Sequence, residues 1–125
     1  MKVKDFLDGL DPKQRERLSH LAETGALIDL EGEVDVSIDG DVMEFLKALS
    51  NPLRLRILKL LKEGWLCVCL IATILKRDQT LISHHLRILK SLGLLKERRE
   101  GKMRFYRTDT EILREYLSRV SSELV

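Results

Sequence analysis

With 125 residues, of which 44% are hydrophobic and 34% charged, the chain has enough material for one domain around one modest core. Its apolar stretches are far too short to span a bilayer and no signal-peptide pattern opens it, so a cytoplasmic protein with no membrane role is expected. The formal net charge of +2 hides an asymmetry: residues 1–41 hold 5 Lys/Arg against 11 Asp/Glu, residues 42–125 hold 17 against 9, and residues 76–107 alone hold 10 against 3. A concentrated basic stretch is the footprint of a polyanion partner, or simply a solvated face. The acidic arm, residues 1–41, can shield the basic half, contact a protein partner or aid solubility.

Asp11-Pro12 starts the first helix, with Asp as cap and Pro at its first position. It runs to about Glu23, stops at Thr24-Gly25, and has only Leu18, Leu21 and Ala22 for an apolar side. Residues 26–40 alternate through Ile28, Leu30, Val34, Val36 and Ile38, which predicts a small hairpin. Gly40-Asp41 closes the arm, and a second domain is expected over residues 42–125.

Residues 42–49 read as a short helix with Val42, Phe45, Leu46 and Leu49 apolar. Asn51-Pro52 starts another, with Leu53, Ile57, Leu58 and Leu61 as its stripe until Gly64. Residues 68–76 form the next, through Val68, Ile71, Ala72 and Leu75. Asp78 can cap a helix that ends near Leu92-Gly93, with Ile82, Leu86 and Leu89 at i, i+4 and i+7 facing inward. Its other side carries Gln79, Thr80, Ser83, His84 and Arg87. Leu95 to Arg99, the turn Glu100-Gly101-Lys102 and Met103 to Arg107 read as a basic hairpin. Thr108 and Glu111 match a capping box for a last helix bearing Ile112, Leu113, Tyr116, Leu117, Val120 and Leu124. Two short helices joined by a tight turn, then a two-stranded wing, predict a mainly α fold with a small β wing (α+β), the winged helix-turn-helix.

Several segments, in order and at matching spacing, make residues 42–120 resemble the ArsR family of metal-responsive transcriptional repressors. They are Leu49-Ser50-Asn51-Pro52-Leu53-Arg54-Leu55-Arg56-Ile57-Leu58, Leu66-Cys67-Val68-Cys69, Ile82-Ser83-His84-His85-Leu86-Arg87-Ile88-Leu89, Gly93-Leu94-Leu95, Arg99-Glu100-Gly101-Lys102 and Phe105-Tyr106-Arg107. The arm lies outside the match. The resemblance implies a homodimer paired through residues 42–49 and 109–124, two recognition helices in successive major grooves of double-stranded DNA, and a pseudo-palindromic operator released when an inducer binds.

On this reading Gln79, Thr80, Ser83 and His84 reach base edges or phosphates, and Gln79 can pair bidentately with adenine. Arg87 positions the backbone, and Arg98, Arg99, Lys102 and Arg104 of the wing neutralise phosphates or enter a minor groove. His85, three residues after Ile82, is expected as a partly buried structural histidine.

Cys67 and Cys69 resemble the family's soft-metal or metalloid site, and thiolates favour trivalent arsenic and antimony, cadmium, lead, zinc and copper(I). Residues two apart point to nearly opposite sides of a helix but to the same side of a strand. One ion therefore takes both sulfurs only where the backbone is not helical, and binding is expected to oppose winding of the helix start. The family's frequent third cysteine falls at Ala72 here; hydroxide, a small thiol or His20 are alternatives. Residues 109–125 contain Asp109 and Glu111 but no His, which argues against a zinc site on the last helix. A dithiol–disulfide switch and inert buried thiols remain open readings, the former because one Asn and two Gln against so many charges resemble a heat-adapted composition. No cofactor is expected to be needed for folding; arsenite, antimonite or another thiophilic ion is the candidate inducer. With apolar neighbours at Cys67 and no glycine-rich phosphate loop, an enzyme is not expected.

Overall fold

A computed structural model describes residues 1–125, and the chain separates into two units, residues 1–37 and 38–125. In the first, a 3-10 helix at Val3–Gly9 precedes α1 at Pro12–Glu23. Asp11 caps α1 as its sequence predicts: Gln14 N donates to Asp11 Oδ1 at 2.8 Å, and Asp11 N donates to Gln14 Oε1 at 3.0 Å. Neither helix buries a residue.

The hairpin expected over residues 26–40 does not form. The only ladder contact there is an isolated antiparallel bridge between Lys2 and Glu33. Aspartates win the local competition for backbone donors: Asp29 accepts from Glu31 N at 3.0 Å and Asp35 from Ser37 N at 2.9 Å. An isolated two-stranded hairpin is also marginal without a surface to pack on. Residues 38–41, read with the arm, fold with the second unit. Asp39 caps α2 (Gly40–Leu49) through Asp41 N at 2.8 Å, and Arg119 pairs with Asp39 at 2.9 Å.

The second unit continues with α3 (Pro52–Leu61), β1 (Leu66–Cys67), α4 (Val68–Leu75), α5 (Gln79–Ser91), β2 (Leu95–Glu100), β3 (Met103–Thr108) and α6 (Thr110–Leu124). Its apolar positions converge as their spacing requires. Phe45, Ile57, Leu61, Ile71, Ile82, Leu86, Leu89 and Leu94 form the centre of the core, each worth about 1.5–3 kcal/mol on burial. Tyr116 of α6 stacks on Phe45 with ring centroids 4.7 Å apart, fixing α6 against α2.

Three local expectations change. Asp78 takes the extended N-cap conformation of α5, but its side chain makes no capping bond. Thr108 does not cap α6: its hydroxyl is buried and donates to Leu58 O at 2.9 Å, so Asp109 becomes the cap, accepting from Ile112 N at 3.2 Å. The wing also gains a third strand. The sheet order is β1-β3-β2, all antiparallel, with Leu66 opposite Tyr106 and Cys67 opposite Phe105. Between α4 and α5, Lys76 holds a left-handed backbone (φ 55°, ψ 49°) that ends α4 within one residue.

Candidate nucleic-acid interface and thiol site

Burying Ile82, Leu86 and Leu89 fixes the rotation of α5, leaving Gln79, Thr80, His84 and Arg87 exposed and Ser83 half-buried. Ser83 and Arg87 share a groove of about 280 Å³ with Val68, Lys90, Arg104 and Tyr106, so the helix surface and the wing converge on one concave strip. In the wing Arg99 and Lys102 are exposed. Arg98 is engaged by Glu100 at 2.8 Å, and Arg104 lies 3.7 Å from Glu97. The N-terminal end of α5 adds the positive pole of a helix dipole beside Gln79.

Two residues that sequence reasoning did not select hold this surface together. Glu97 of β2 pairs with Lys90 of α5 and accepts from the Tyr106 hydroxyl at 3.3 Å, tying the wing to the helix. The Lys90 ammonium, and then Arg104, hold its carboxyl below the usual carboxylate range against the opposing effect of burial. Arg54 of α3 reaches His85, with Nη1 3.2 Å from Nδ1, and donates from Nε to Ala48 O at 2.7 Å. His85 is buried, as its position beside the apolar stripe predicts. Burial, then the Arg54 charge, push its imidazole below the ordinary histidine range. No pattern along the chain singles out Glu97 from the other acidic residues of the basic stretch, Asp78 and Glu100, and none reports on Arg54.

Cys67 is the N-cap of α4, with extended backbone (φ −79°, ψ 158°), and Cys69 is the second helical residue. The two sulfurs lie 2.9 Å apart. The sulfurs meet because Cys67 is not helical, as expected, but they do so with α4 already wound, which corrects the expectation that bringing them together opposes winding of the helix start. The opposite-sides rule applies between two helical residues, whereas an N-cap side chain folds back over the first turn. Cys67 is buried and Cys69 exposed. The thiol–thiol hydrogen bond lowers the pKa of Cys67, helped by the amides of Leu70 and Cys69, and raises that of Cys69. Cys67 is thus the thiol of the pair that ionises first. Around the pair a shallow, open surface cavity of about 280 Å³ is lined by Val68, Gln79, Lys102, Met103 and Arg104. No group of three His, Cys, Asp or Glu side chains gathers anywhere. No helix is long and apolar enough to cross a membrane.

A recognition-type helix beside a basic wing is the arrangement of a winged helix-turn-helix DNA-binding transcriptional regulator. Comparison with known proteins narrows the class. Residues 51–97 match the family model described as bacterial regulatory protein, arsR family. An HTH-type transcriptional regulator of Methanocaldococcus jannaschii is 55% identical over 64 residues, 50% of this chain and 72% of that one. The cadmium resistance transcriptional regulatory protein CadC homolog of Staphylococcus aureus is 42% identical over 80 residues, 63% of this chain and 66% of its own. The arsenical resistance operon repressor of Escherichia coli is 42% identical over 71 residues, 56% and 61%. The matches thus span about two thirds of the length of these relatives. Among solved structures, the homodimeric winged helix-turn-helix domain of a possible ArsR-family regulator from Mycobacterium bovis has 34% identity and a TM-score of 0.56 over 74% of this chain and 94% of that one. The chain belongs to the ArsR family; its relatives are transcriptional regulators, not enzymes.

Proposed function

We propose that this chain is a homodimeric repressor whose operator is released when a soft metal or metalloid binds Cys67 and Cys69. The observation that carries the reading is the sulfur pair, 2.9 Å apart in a cavity that Gln79, Lys102 and Arg104 also line. The relatives named for cadmium and arsenical resistance support it. On this reading Gln79, Thr80, Ser83 and His84 read bases, while Arg87, Arg98, Arg99, Lys102 and Arg104 meet phosphates. Pairing through α2 and α6 is supported by Met43, Leu46, Leu117 and Leu124, apolar side chains left exposed on those two helices.

The donor set fits a thiophilic ion. With metal–sulfur bonds of about 2.3 Å and angles between about 110° and 120°, two ligating sulfurs stand about 3.8–4.0 Å apart. Loading therefore spreads the pair by about 1 Å from the observed 2.9 Å. That spread disturbs the first turn of α4, which packs on α5. It supplies the differential stability that release requires. The proximity of the sulfurs equally favours a second reading, a dithiol–disulfide switch in which a peroxide or a disulfide takes two electrons and both thiol protons leave.

The test is an operator-release assay with arsenite, antimonite, cadmium, zinc, copper(I) and peroxide, with and without a reductant. The proposal expects release by at least one thiophilic ion under reducing conditions. It also expects a Cys67→Ser, Cys69→Ser double variant that binds operator and no longer responds. Release only by peroxide, reversed by reductant, selects the redox reading; a normal response from the double variant overturns both.

A further inference from the structure

We propose that Met103 of the wing supplies the third sulfur of the site, as a thioether, and that the ion this donor set selects is monovalent copper. The inference rests on the thiol-sensing reading above and deepens it. Across the β1–β3 ladder Cys67 stands opposite Phe105, so the two side chains share a sheet face. Met103 lies two residues before Phe105 on β3 and is on that same face. Diagonal neighbours of this kind are about 7–8 Å apart at the backbone, within reach of a long side chain. The Met103 side chain is 47% exposed, and it lines the same cavity as Cys67 and Cys69.

The ion follows from the donors. No cluster of carboxylate or imidazole groups accompanies the sulfurs, so zinc and cadmium find neither the nitrogen or oxygen ligands nor the four-fold closure they favour. Trivalent arsenic binds through covalent bonds to thiolates, and a neutral thioether cannot replace the third. Copper(I) accepts thiolate and thioether together and is satisfied at low coordination. With two thiolates it leaves the site one negative charge, which Lys102 and Arg104, lining the same cavity, offset. Both side chains are candidate phosphate contacts, so a loaded site draws them inward, away from a duplex.

The experiment is an anaerobic titration of the reduced full chain with Cu(I) against a chromogenic Cu(I) chelator, paired with X-ray absorption at the copper edge. Wild type should show three sulfur neighbours. Met103→Leu, similar in volume at an exposed position, should show two, with Cu(I) affinity lower by about tenfold or more, since even partners behind metal ligands are worth about 10–100-fold. Its arsenite affinity should match wild type. If Met103→Leu retains wild-type Cu(I) affinity and sulfur count while the Cys67→Ser, Cys69→Ser variant loses binding, the thioether assignment is wrong and the thiol reading stands. If the double cysteine variant binds Cu(I) like wild type, the thiol reading itself fails.

Discussion

Arg54 is predicted to be the most consequential single polar residue for the stability of the second unit. The chain leaves α2 at Ser50, and residue 52 is proline, so the i+4 donor for Ala48 O is missing and no backbone N–H takes that carbonyl. Ala48 is only 3% exposed. Arg54 Nε takes that carbonyl at 2.7 Å, Nη2 takes Lys47 O at 3.3 Å, and Nη1 meets His85 Nδ1. A hydrogen bond from a charged donor to an otherwise unpaired buried group is worth about 1.5–3 kcal/mol. A cation at a helix C-terminus adds about 0.3–1 kcal/mol. Arg54→Ala should therefore cost about 2–3 kcal/mol. At about 4–8 °C per kcal/mol for a unit of this size, Tm falls by roughly 10–20 °C. Arg54→Lys keeps the charge but not the planar fork and should fall between. Thermal and urea unfolding at one fixed protomer concentration measures this, since self-association makes Tm concentration-dependent. An Arg54→Ala variant within about 0.5 kcal/mol of wild type, the range of an ordinary surface change, would refute the reasoning.

Three further outcomes are expected. Lys102→Ala should weaken binding to operator and random duplex alike and reduce the salt slope by about 1, whereas Ser83→Ala with His84→Ala should cost about 1–3 kcal/mol of sequence discrimination; titrations at several salt concentrations separate the two. Glu97→Gln should destabilise by about 1 kcal/mol near neutral pH. Because the Glu97 carboxyl is held below its ordinary range in the fold, its contribution is present above about pH 4.3 and disappears as pH falls through the lower folded value, so melts of variant and wild type should converge in acid. His85 is also depressed, so the unfolded chain binds the extra proton: stability should be full above about pH 6.5 and decline as pH falls through the folded value. His85→Gln should flatten that part of the pH–stability curve; an unchanged slope would show that another group is responsible.

Helix positions in the second unit were legible because each carries its own punctuation and a strong 3.6-residue stripe, as Asn51-Pro52 and the run Ile82, Leu86, Leu89 show. The arm's alternation of Val34, Val36 and Ile38 misled, because a strand needs a partner and period alone names none. β1 was invisible for the converse reason: two residues, Leu66 and Cys67, carry no period and are strands only because β3 lies beside them. The thiol pair was legible as chemistry but not as geometry. Whether sulfurs two residues apart meet depends on which is the cap, and a helix boundary shifted by one residue reverses the answer. Glu97 and Arg54 act across 7 and 31 residues of sequence to Lys90 and His85, distances at which local pattern carries no information.

The burial difference between the thiols decides what should move on loading. Cys67 is 4% exposed and held by the β1–β3 ladder, while Cys69 is exposed on the first turn of α4. Spreading the sulfurs by displacing Cys67 would disturb a packed interior, which resists even small shifts. Displacing Cys69 needs only a rotation of the first helical turn, a lower-energy opening of the kind seen at helix ends. The proposed site should therefore act locally. On saturating the reduced protein with Cu(I), hydrogen exchange should change first at residues 68–71 and at Lys102–Arg104, with α2 and α6 unaffected. Changes confined to α6, with the first turn of α4 silent, would mean that the ion is held elsewhere and that the sulfur pair plays no part in release.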